Sequence, residues 1–332
     1  MHALASQVQA IRQEAGLLER FPRALLAVRG ADRCAFLHGL VSNDIKALLP
    51  GQGRQACLLD RHGKVKALFA VHAFPEELML GMDPSFFSEA FHLLSKYQIT
   101  EDVRFEKQTD RYRIIALHGP RVPEILSKTW PAIRLPEGDL QHLEGPPSSG
   151  IRWVLRWNLS RLPGIHLWVE TNAEVDVRNA LLGTGKAMGL ALISEEAFEA
   201  FRIEAGVPWP QKEISERVIL NELGQEDWVN TTKGCFVGQE IVTRIKHRAH
   251  PPHLLTGFFV EASELPQRES SIELDGKEVG TITSACFSPT LHRVIAMGFL
   301  KYGVEAPRFT VKTPLGTAQA AVTPLPFVSE MK

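Results

Sequence analysis

Apolar positions along this chain fall in short runs, and their spacing switches repeatedly between strand and helix periods. Residues 24–28 form an apolar run that Gly30 interrupts. Asp32 then stands where it can cap a helix carrying Phe36, Leu37 and Leu40 on one side. Two further apolar stretches flank Asp60-Arg61-His62-Gly63, the pattern of a hairpin whose glycine suits a turn of positive φ. Asp83-Pro84 opens an amphipathic helix with Phe87, Phe91 and Leu94 at helical spacing, which predicts core packing. Strands are expected over 111–117, 151–157 and 164–170, with a loop at 144–150 and a helix over 173–182. A helix over 194–205 is capped by Ser194 and stopped by Gly206. Strands and helices alternate here without a long parallel βαβ series, so the class is α+β.

The texture changes near residue 250. His250-Pro251-Pro252-His253 cannot continue a helix, and several short β-rich runs with turn signals follow. Asp275-Gly276 is a strong two-residue hairpin signal. These strands predict a small antiparallel barrel. The organisation expected is an α+β region over 1–205 in two lobes, a segment over 206–250 that completes it, and the barrel over 251–332.

Composition mainly excludes. With 332 residues the chain exceeds one small core, and its 37 basic and 38 acidic residues leave a net charge of −1. No global attraction to nucleic acid or an anionic membrane follows, so nucleic acid is not supported by composition. No stretch approaches the roughly 20 apolar residues of a membrane span. Cys34, Cys57, Cys235 and Cys286 form no CxxC pair, which suggests neither a disulfide scaffold nor a structural zinc site. A reducing, cytoplasmic setting fits. His247, His250 and His253 recur every three residues, but two prolines break their alignment. A solvated basic turn is the expectation there, and no metal is assigned.

The least generic run is KGCFVGQE, residues 233–240. A helix from Gly238 to Lys246, with Ile241, Val242 and Ile245 buried, would set Cys235 just before a helix N-terminus. Lys233 adds a cation, and both features favour a thiolate. Gly234 and Gly238 allow close backbone approach. Local chemistry alone leaves open a reactive thiol, an anion site beside a thiol, or a turn cysteine.

The same residues carry a resemblance. KGCFVGQEIVTRIKHR resembles the signature K-G-C-[YF]-x-G-Q-E-x-x-x-R of the YgfZ-type folate-binding proteins, relatives of the glycine-cleavage T-protein (aminomethyltransferase). VRGADRCAFLHGLVSNDI at 28–45, LLDRHGKV at 58–65, RIEAGVP at 202–208 and VTPLPF at 322–327 are similar to further segments of that family, in order. Phe236 replaces a commoner tyrosine, Leu220 a usual proline and Ala249 a frequent glycine. Some family members carry aromatic residues at folate-contacting positions that correspond here to Arg23 and Phe198.

The resemblance implies a three-domain T-protein-like ring around a central folate pocket, closed by a C-terminal antiparallel β-barrel. It implies a tetrahydrofolate-binding protein that supports assembly or repair of iron–sulfur enzymes. Cys235 and Lys233 would be its working residues, and transient iron–sulfur clients or carriers its partners. Gly234, Phe236, Gly238, Gln239, Glu240 and Arg244 complete the motif. For the folate, Glu204 is the candidate for the pterin donors, Arg202 and Arg244 for the anionic tail, and Phe198 for stacking. Asn43, Asp44 and Lys64 lie in the matching segments and join the candidate contacts. The T-protein uses an aspartate in a G-G-x-x-D-D stretch, and both acids are replaced here, by Ala67 and Leu68. That argues against aminomethyl transfer, although Asp44 and Asp60 are other acids near the motif. Two alternatives remain: a folate-dependent transferase, and a non-catalytic folate-binding scaffold.

Overall fold

The computed structural model describes residues 2–19, 21–159 and 163–329. Its hairpin signals resolve into two sheets packed face to face. The first runs Gly53–Leu59, Val65–Ala73, Glu77–Met82, Ala24–Arg29 and Arg104–Lys107, all antiparallel. The second runs Leu190–Leu192, Ala15–Leu18, Tyr112–His118, Gly164–Glu170, Ile151–Arg156 and His142–Glu144. Only its first pair is parallel. Between the sheets, Leu25, Ala27, Ala70 and Met79 meet Ile114, Ala116, Leu155 and Trp168.

Each outer face is covered, as an apolar sheet face must be. Helices Arg33–Leu40 and Phe87–Tyr97 and residues 214–242 bury the outside of the first sheet. Helices Val122–Thr129 and Glu174–Gly185 bury the outside of the second. The chain then closes a six-stranded barrel in the order His253–Glu261, Arg293–Lys301, Lys277–Ser288, Ser271–Leu274, Phe309–Thr313, Gly316–Thr323. Its turn at Asp275-Gly276 has φ of 52° and 73°, as a type I′ hairpin requires. Helices His2–Gln13 and Glu195–Glu204 join barrel residues Ile295 and Met297 in a separate apolar cluster that ties barrel to sheets.

Local expectations hold unevenly. Ser194 caps its helix through Ala197 N–H at 3.2 Å, and Asp83 accepts from Ser85 N–H at the start of the next turn. Asp32 does not cap with its side chain. Its carboxylate accepts instead from Asp102 N–H at 2.8 Å, tying two loops together. Phe91 is 42% exposed, because Ala90 and Leu94 form the buried stripe of that helix. The helix expected over 173–182 runs Glu174–Gly185.

Candidate functional site

A cavity of about 700 Å³ opens between the two sheets, the motif-bearing segment and the end of the chain. Leu68, Leu140, Trp157, Val207, Trp209 and Trp228 supply apolar wall, while Arg23, Arg54, Gln55, Asp83, Asp139 and Asp227 are among its polar groups. That size and mixture suit a drug-sized ligand with a flat ring and a few fixed polar contacts.

Several wall groups are unsatisfied. The Gln55 Oε1 and Arg23 Nε atoms are buried without a hydrogen-bond partner. Arg23 lies 3.9 Å above the Trp157 ring, and burial draws its pKa down to about 9 against the opposing pull of Asp83. Burial pushes the Asp139 carboxyl above its ordinary range, although it accepts from Asn158 N–H at 2.8 Å. Gln55 and Arg23 both line the cavity, and an unpaired buried polar atom in a native structure calls for an explanation such as an absent partner.

Register explains how these residues meet. Ala24 pairs with Met82, Ala70 with Gly81, and Cys57 with Leu68. Continuing the first pairing by one residue and the second by two sets Arg23, Asp83 and Leu68 in one transverse row. Leu68 is buried in the wall, and Asp83 is the carboxylate beside it. Ala67 is wholly buried on the opposite face.

Three residues expected at the ligand are placed elsewhere. The Glu204 carboxylate is buried and accepts from Arg12 at 2.7 Å, from Ser288, and from Thr290 at 2.8 Å, so it joins helix to barrel. Arg202 is wholly buried too. It donates to Glu213 at 2.8 Å, to Glu199 and to Ser284, which leaves nothing for a ligand tail. Phe198 packs edge-on against Phe21 and Trp209, one layer behind the wall. The alternation of apolar and charged residues gave no sign that these charges face inward. The helix is buried nearly all round because it sits between sheet and barrel. Nor did any local signal mark Gln55, Asp139 and Trp157, which only the fold brings together.

Asn43 acts from behind the wall. Its Nδ2 donates to the carbonyls of Gln55 at 2.8 Å and Asp227 at 2.7 Å, clamping strand to motif segment. The Asp60–Lys64 turn is the seat of the motif helix. Lys64 N–H and His62 N–H both donate to Asp60 Oδ1. Above the turn stands Gly238, with φ of +82°.

Cys235 is exposed and is not among the residues lining the cavity. The helix after it runs Gln239–Arg248, so the cysteine precedes its capping Gly238 by three residues. Lys233 donates to the His38 carbonyl, while His38 Nε2 donates to the Lys233 carbonyl at 3.0 Å. The other side of that imidazole is 3.1 Å from Asp44. Burial pulls the Lys233 pKa down to about 8, opposed by Asp44 and Cys235, and the ammonium stands 5.0 Å from the Phe236 ring. Glu240 and Arg244 are exposed on the helix, and Gln239 N–H closes the turn onto Phe236 O. His253 meets Glu222 at 3.1 Å and His250 stacks on Tyr302. Among the described residues no group of His, Cys, Asp and Glu is arranged to hold a metal. No helix among them is long and apolar enough to cross a membrane.

Two family descriptions match this architecture: the GCVT N-terminal domain over residues 1–233, and the glycine cleavage T-protein C-terminal barrel domain over 254–329. The chain belongs to the glycine cleavage T-protein family. It is 27% identical over 308 residues to an aminomethyltransferase of Streptomyces coelicolor, covering 90% of this chain and 81% of that one. Identity to an aminomethyltransferase of Geobacillus kaustophilus is 26% over 341 residues, covering 99% and 92%. The crystal structure of glycine cleavage system aminomethyltransferase T from Bartonella henselae superposes with a TM-score of 0.86 at 18% identity, over 98% of this chain and 90% of that one. That likeness is one of fold.

Proposed function

We propose that the protein binds tetrahydrofolate or a one-carbon derivative in the cavity and supports assembly or repair of iron–sulfur enzymes through Cys235. The observation that carries this reading is the separation of the two features. The thiol stands on an anchored, exposed loop outside the ligand wall, so it addresses a partner protein more readily than an enclosed ligand. One cysteine does not complete the four-ligand set such clusters usually take, so any contact with a cluster is shared and transient.

Within the cavity, Arg23, Gln55 and Asp139 would orient the ligand, and Trp209 and Trp228 would form part of its apolar slot. Asn43 and the Asp60–Lys64 turn would hold the wall in place. In cells lacking the native protein, Cys235→Ala is expected to lose support of iron–sulfur enzyme activity while still binding tetrahydrofolate. Full activity with the alanine variant would remove the central residue of this reading.

The names of the relatives favour a second reading, aminomethyl transfer to tetrahydrofolate. It requires a carboxylate at the reacting nitrogen, and Leu68 offers none. Asp83, Asp139 and Asp227 are the acids of the wall, and of these Asp83 shares the row of Leu68. Transfer from an aminomethyl-lipoyl carrier protein by the wild type, abolished in Asp83→Asn or Asp139→Asn, would establish it in place of the first.

A further inference from the structure

Arg23 is an anomaly among the arginines of this fold. Among the described residues it forms no hydrogen bond and no ion pair, although it is half-buried and its Nε is sealed from solvent. Arg202, which is fully enclosed, has two carboxylates, a hydroxyl and a carbonyl. A guanidinium half withdrawn from water with no protein partner is left short of hydrogen bonds. Stacking on Trp157 at 3.9 Å and standing 5.3 Å from Phe21 offset only part of that. Asp83 is the acid that acts on it electrostatically, and its Oδ1 accepts from Ser85 N–H. The imidazoles of His72 and His166, also close by, are kept neutral by burial and supply no negative charge.

Such a group is costly to the fold unless something else completes it. Arg23 is in the cavity wall, with Trp157 backing one face of its guanidinium. We infer that Arg23 is the specificity-determining cation of the cavity, and that its fork of N–H groups takes a planar acceptor edge of the ligand, two lone-pair atoms side by side. The geometry of a guanidinium selects such an edge over a single acceptor. On a folate that edge is either the carbonyl side of the pteridine ring or a carboxylate of the glutamate tail. This inference deepens the proposed function and rests on the cavity being the ligand site.

The test compares wild type, Arg23→Gln and Arg23→Lys by calorimetry with three probes: tetrahydrofolate, tetrahydropteroate, which lacks the tail, and p-aminobenzoylglutamate, which lacks the ring. Loss of a charge-assisted pair is expected to weaken binding by about 10–100-fold in Arg23→Gln. Arg23→Lys, keeping charge without the fork, is expected to recover only part. Weakening of both ring-bearing probes assigns the edge to the pteridine; weakening of both tail-bearing probes, with tetrahydropteroate unchanged, assigns it to the tail. Melting supplies an independent readout, since removing a charge that no protein group pairs leaves Arg23→Gln as stable as wild type or more so. Unchanged affinities, or an Arg23→Gln protein that melts well below wild type, overturn the inference. If wild type binds only p-aminobenzoylglutamate, through Arg23, the folate reading falls and this inference stands. If wild type binds none of the three, both fall.

Discussion

His38 and Lys233, 195 residues apart in sequence, hold each other by reciprocal hydrogen bonds. Each donates a side-chain N–H to the other's backbone carbonyl. The grip fixes the ammonium of Lys233 near Cys235 and ties the motif loop to the helix Arg33–Leu40.

A consequence concerns the thiol. Lys233→Met and His38→Ala are each expected to slow alkylation of Cys235 by iodoacetamide at pH 7 by about twofold to tenfold, because a nearby cation favours thiolate. The Lys233 pKa is lowered to about 8, so its charge is present below that pH and lost above it. The difference between wild type and Lys233→Met therefore shrinks as pH rises through 8. Buried Cys57 and Cys286, whose pKa values burial raises, should stay unlabelled in the native protein. Equal rates in all three proteins would show that Lys233 does not influence the thiol.

Gly238 is under two constraints at once. Its φ is +82°, and an added Cβ would lie 2.5 Å from the Asp60 carbonyl oxygen. Gly303 has a similar φ of +75° but open space around it. Gly303→Ala should therefore cost about 1 kcal/mol and Gly238→Ala upward of about 2 kcal/mol in urea unfolding. Equal costs would mean that the motif helix shifts freely on the Asp60–Lys64 turn.

Glu204 serves here as a joint. Glu204→Gln breaks a buried ion pair with Arg12 and disturbs bonds to Ser288 and Thr290. A loss of about 3 kcal/mol or more is expected, with earlier thermal unfolding. A variant of unchanged stability but weaker tetrahydrofolate binding would instead restore the pterin role expected from the sequence.

Acid sensitivity follows from four buried imidazoles. Burial lowers His118 and His142 to about 4, and His72 and His166 well below their ordinary value. The folded state keeps them neutral, whereas the unfolded chain takes up protons near pH 6.5. Stability is thus fully present above about 6.5 and is lost as pH falls toward 4, by at most about 3 kcal/mol for each of His118 and His142. The urea midpoint should drop clearly between pH 7.5 and 5. A midpoint that does not change across that window would contradict the neutral assignment.

Much of the fold was legible because it rests on local physics. The hairpin at Asp275-Gly276, the cap at Ser194, the stop at Gly206 and the break after His250 each depend on a few neighbouring residues, and the barrel follows from their density. The motif around Cys235 was legible for the same reason. Its chemistry is contiguous, and its glycines stand where the chain must adopt positive φ.

The charged residues of the ligand site were not legible. Arg202 and Glu204 have the sequence spacing of an exposed helix face, yet both are buried among ion-pair partners and barrel hydroxyls that only the packed fold brings together. Arg23, Asp83 and Leu68 are separated in sequence and become neighbours only through strand register. Whether a charge faces solvent, a partner or a ligand depends on what packs over it. The sequence by itself determined the elements and the family motif. The tertiary structure decided which polar groups were satisfied by the protein and which were left unpaired in the cavity.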